Sequence, residues 1–105
     1  MDLPKFLIIG PRKFWIIGVD GLADSNTGET LEGQIHYQRA VIEINTRSDV
    51  QTQRAALIHE IVHGMCEYMD VPMKENDTIR LGNALTMFLV EHAPEIQELF
   101  PERFV

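Results

Sequence analysis

The sequence predicts an α+β domain, and three observations predict it. The first half alternates short β-branched and aromatic runs with turns. The second half carries two long stretches with helical apolar spacing, and no repeat, low-complexity tract or linker interrupts the chain. At 105 residues and 45% hydrophobic content, the chain suits one core and leaves little room for a second, so a single domain over 1–105 is expected.

Taken in order, residues 1–5 lack a basic segment leading into a long apolar core, and the apolar run 6–9 is too short for a signal h-region. No export signal is read, and a cytoplasmic location is the default. Segment 14–19, FWIIGV, reads as a strand, whereas 20–32 is rich in Gly, Asp, Ser, Asn and Thr and reads as a loop. Segments 33–37 and 40–45 read as strands joined through Gln38 and Arg39, so a small antiparallel meander is expected. A helix over 50–70 follows, with Ser48 or Asp49 as N-cap and Leu57, Ile58, Ile61, Val62, Met65, Tyr68 and Met69 on a broad apolar arc that predicts burial on most sides. Val71-Pro72-Met73 breaks it. A second helix over 76–92 is expected to turn Leu81, Leu85 and Phe88 inward and to stop at Pro94, with 96–100 adding a last turn.

Composition excludes several classes of function. A net charge of −7 with nine scattered Lys and Arg argues against nucleic acid, and no apolar run reaches the roughly 18 residues of a membrane span. Glu91, Glu95, Glu98 and Glu102 read as a solvated helix face. Cys66 is the only cysteine, so no internal disulfide can form; one turn past His63, it is either a neighbour or ligand of a metal or a small buried filler.

The chemistry concentrates in His59-Glu60-Ile61-Val62-His63. Four helical residues turn about 400°, so His59 and His63 share a face and can reach one Zn2+. Glu60 lies beside the pair, where it can act as the base toward a metal-activated water. The motif sits mid-helix, free of internal proline, as this chemistry requires.

Leu31-Glu32-Gly33-Gln34-Ile35-His36-Tyr37, then Val41-Ile42-Glu43-Ile44-Asn45, then QRAALIHEIVHG over 53–64 resemble the small zincin-like, gluzincin-type metallopeptidase family of phages and bacteria. In that family a glycine-led hairpin precedes the HExxH helix, and a second helix with a pattern like Leu81-Gly82-Asn83-Ala84-Leu85 follows. The resemblance covers roughly 31–95. It implies a minimal zincin-like core, a small antiparallel sheet or hairpin followed by the two helices, with one Zn2+ and a peptide or protein substrate. A metzincin continuation is absent, since 64–70 reads GMCEYMD without histidine. The third metal ligand is then expected to be a carboxylate on the second helix, Glu75 or Asp77. Periodicity favours Asp77, one turn before Leu81 on the expected inward stripe. The resemblance instead aligns an acid with Glu75, whose longer side chain also reaches further, and Glu75 is taken as the ligand with Asp77 as the alternative.

Hydrolysis of a peptide bond with Glu60 as general base is therefore expected. Tyr37, His36 and Arg80 are candidates for stabilising the oxyanion, and strand 41–45 is either a free edge for an extended substrate or an ordinary internal strand. His36 and His92 read as surface residues rather than ligands. The alternative function is a non-catalytic zinc-binding or interaction module with Cys66 as a closing ligand; hydrolysis of a different acyl group is a third reading.

Overall fold

A four-stranded mixed sheet followed by two helices makes up the structure, a computed structural model that describes residues 2–103, so both extreme ends of the expected 1–105 domain lie outside the described residues. The elements are β1 (Phe6–Ile9), β2 (Arg12–Val19), β3 (Gly33–His36), β4 (Val41–Asn45), α1 (Val50–Met69) and α2 (Glu75–Leu99), with a closing 3-10 turn at Pro101–Arg103. The α+β class is as the sequence predicts.

Strand order corrects the expected antiparallel meander. The sheet runs β1-β2-β4-β3, with β1 and β2 antiparallel, β2 and β4 parallel, and β4 and β3 antiparallel. The cause is the loop 20–32: it carries the chain past the position next to β2, so that the tight β3–β4 hairpin folds β4 back into the gap. Strand β1 is an addition, closed onto β2 by a turn in which Gly10 adopts φ 60°.

Alternation along the strands aims Ile9, Phe14, Ile16, Ile42 and Ile44 at one face, where Ala56 and Leu57 of α1 complete the core. Ile42 and Ile44 are wholly buried, each worth about 1.5–3 kcal/mol against exposure. Phe6, Ile8, Trp15 and Ile17 stand exposed on the other face, with the Lys13 ammonium 4.4 Å from the Phe6 ring centroid.

Helix α1 begins at Asp49, not Ser48: its carboxylate accepts a 2.7 Å hydrogen bond from the Thr52 amide. It ends at Asp70, in the left-handed region at φ 55°, whose N–H donates to the Cys66 and Glu67 carbonyls. Burial fades toward this end. Met65, Tyr68 and Met69 are more than half exposed, against the expected burial on most sides: the sheet still reaches the last turns, where Gly10 lies against the Tyr68 ring, but their outer side is left uncovered.

Helix α2 starts at Glu75 and runs through Pro94 to Leu99, correcting the expected stop. His92 leaves helical geometry at φ −125°, ψ 20°, which places Pro94 in the first turn of a new segment, where its missing N–H costs little. The inward stripe is also corrected. Thr78 and Gly82 are the buried residues of α2, while Leu81, Leu85 and Phe88 are exposed. Small side chains let α2 lie close on α1, and a Cβ on Gly82 would touch the His59 Cα at 3.5 Å.

Candidate metal centre

Two helix surfaces and one strand end converge on the motif. His59 and His63 stack edge to face on α1 with ring centroids 4.7 Å apart. The chain then turns over 70–74 and re-enters helix with Glu75, on the same side of α2 as Thr78 and Gly82 at i+3 and i+7. The hydroxyl of Thr78, 1% exposed, donates to the Lys74 carbonyl at 3.2 Å and fixes the turn that carries Glu75.

Nε2 of His59 lies 3.1 Å from Nε2 of His63, while the Glu75 carboxylate oxygens lie 2.9 Å from His59 Nε2 and 3.1 Å from His63 Nε2. Hydrogen bonds alone fit this triangle poorly. If both imidazoles donate to Glu75, two N–H groups face each other; if one accepts from the other, it has no proton left for Glu75. A cation removes the conflict. With Zn–N bonds of about 2.05 Å, a tetrahedral ion spaces its nitrogen ligands about 3.3 Å apart, close to the separation here. These three residues are the metal-capable group among the described residues.

Glu60 stands next to the triangle, 7% exposed, without a hydrogen bond or ion pair among the described residues. Gly33, the first residue of β3, makes room for it: a Cβ there would lie 3.3 Å from the Glu60 Cγ and Oε2. Burial, and secondarily the negative charge of Glu75, push the Glu60 carboxyl up to about 7. A cleft of about 420 Å3 opens over it, between Thr30, Glu32 and Gly33 on the sheet side and Ile79 and Asn83 on α2.

Tyr37, just after β3, lines the opening shared by His59, Glu60, His63 and Glu75. Burial raises its phenol, as do the charges of Glu67, Glu60, Cys66 and Glu75, so it stays a hydrogen-bond donor. The other oxyanion candidates lie elsewhere. His36 is on the opposite sheet face, with Nε2 2.6 Å from Glu43 Oε1, and Arg80 is exposed outside the residues lining the cleft. Asp77 is exposed on the side of α2 that carries Leu81 and is not one of the clustered donors. Cys66 is half-buried beside His63 in an adjacent pocket, also outside the donor group. His92 is on the surface, 3.5 Å from Glu95.

Strand β4 is paired on both sides, so 41–45 offers no free edge; the sheet's edges are β1 and β3, and β3 is the one that carries Gly33. Asn45 is a residue whose part the sequence did not signal. Its Oδ1 accepts from the Gly21 and Arg47 amides and its Nδ2 donates to the Leu31 carbonyl at 3.0 Å, which holds the loop that walls the cleft. Only a polar residue at the end of an apolar strand hinted at it.

No family model, no curated protein and no solved structure matches this chain. Among the described residues, no helix is long and apolar enough to cross a membrane.

Proposed function

We propose that the protein is a zinc-dependent peptidase that hydrolyses peptide bonds with Glu60 as general base, in the manner of the small zincin-like metallopeptidases its motifs resemble, and that it works in the cytoplasm. One observation carries the reading: three donor atoms with a separation suited to one tetrahedral ion lie beside a buried, unpaired carboxylate at the floor of an open cleft. His59, His63 and Glu75 would hold Zn2+, which when bound supplies Lewis acidity toward the carbonyl and the attacking water. Glu60 takes a proton from that water as its oxygen bonds to the carbonyl carbon, and returns it to the nitrogen as the C–N bond breaks. Tyr37 donates to the oxygen that gains charge. An extended peptide adds antiparallel to the free edge of β3, which brings its backbone past Gly33 and Glu60. Because Cys66 lies outside the donor group, the arrangement favours an open site over a closed structural one.

Glu60→Gln tests this. Zinc content and fold are expected to match the wild type while cleavage of unfolded protein substrates falls by roughly 100-fold or more. Equal cleavage by both proteins would exclude the mechanism.

A further inference from the structure

Helix α2 carries a row of apolar side chains, bordering its buried side, that the domain does not cover. Leu81, Leu85 and Phe88 follow one another along one flank of the helix before the kink at His92 and are 41%, 37% and 49% exposed, Leu99 beyond the kink is 69% exposed, and the side toward α1 holds the small residues Thr78 and Gly82. Where the stripe meets the kink at His92, a groove of about 510 Å3 opens between Phe88, Ile96 and Leu99 and the carboxylates of Glu95 and Glu98. Contiguous apolar surface with a polar rim marks an interaction site.

We infer that this stripe and groove form a docking surface for a basic amphipathic helix of a partner protein. Charge selects the occupant. The groove at the end of the stripe is lined by Glu95 and Glu98 and by neither Lys nor Arg, so a partner that fills it must bring cationic flanks to face these carboxylates. A second copy is the poorer fit, since a chain of net charge −7, with nine Lys and Arg against sixteen Asp and Glu, has little cationic surface to bring to the groove. Shape points to a helix, since apolar side chains at i, i+4 and i+7 along a straight ridge are met by a helix of matching spacing.

A labelled Leu/Lys amphipathic peptide of about 18 residues, beyond the length at which isolated helices are marginal, serves as probe, with a Leu/Glu peptide of the same pattern beside it. Fluorescence anisotropy with the full chain is expected to show binding of the Leu/Lys peptide and not of the Leu/Glu peptide. Phe88→Ser and the E95K/E98K variant should each weaken binding by about tenfold or more. Leu85→Ser replaces Phe88→Ser if circular dichroism shows the latter unfolded. The D2K/E29K variant changes net charge equally on exposed residues elsewhere and should leave affinity within about twofold. Equal affinity for both peptides, or an equal loss in D2K/E29K, would reduce the binding to general adhesion and overturn the inference. Sedimentation of a wild-type dimer that Phe88→Ser converts to monomer would overturn it too, by giving the stripe to a second copy.

Discussion

Glu60 is a buried carboxylate whose ionisation the fold opposes until positive charge arrives nearby. Its folded pKa of about 7 lies above the ordinary 4.5, so the folded chain binds this proton more tightly than the unfolded chain does. The associated stability is complete below about pH 4.5 and is lost as pH rises through about 7. In chelator-treated protein, Glu60→Gln should therefore raise the unfolding free energy by up to about 3 kcal/mol at pH 8 and by little at pH 4. Urea unfolding at the two pH values checks this, and an equal effect at both would contradict the account of Glu60. The proposed third ligand is tested at the same scale. Glu75→Ala should weaken zinc affinity by about tenfold or more, while Asp77→Ala should cost about 1 kcal/mol of helix stability and leave affinity unchanged, as zinc titrations would show.

Among the elements, the motif helix was the most legible, because HExxH and the residues before it share one helical period from Asp49 onward. Its sister helix was misread in orientation. Apolar periodicity locates a stripe but not what covers it, and in α2 the stripe of Leu81, Leu85 and Phe88 lies outside. The error matters because it made Asp77 a rival to Glu75; once Thr78 and Gly82 face α1, Glu75 falls on the inner side with them. Spacing of small residues at 78 and 82 was the available signal for close helix contact. Strand β4 was expected in the right place, but its parallel pairing with β2 depends on where a loop lands, which strand periodicity does not encode. The αL end of α1 yields a prediction of its own. Asp70→Gly should stabilise the fold by up to about 1 kcal/mol by relieving the φ of 55°, and Asp70→Val should destabilise it, as thermal unfolding would register.

For the molecule as a whole, one layer of sheet and one core helix fix the position of a site whose third donor comes from outside that core. The sheet holds α1 through Ile9, Phe14, Ile42 and Ile44, and β3 delivers Gly33 to Glu60. Helix α2, which packs on α1 at Thr78 and Gly82 outside the main core cluster, contributes Glu75, so metal binding should tie it further to the rest. The His59 and His63 pair was readable from sequence because it is local to one helix; Tyr37 could be named only beside His36 and Arg80, and Asn45 and the cleft walls not at all, since they meet the pair only through tertiary packing. The central claim is an open zinc site of two histidines and one carboxylate. X-ray absorption at the zinc edge, on protein loaded with one equivalent of the metal, tests it most directly. Two imidazole nitrogens at about 2.0 Å, carboxylate and water oxygen and no sulfur are expected. Failure to take up zinc, or sulfur scattering at about 2.3 Å from Cys66, would contradict it.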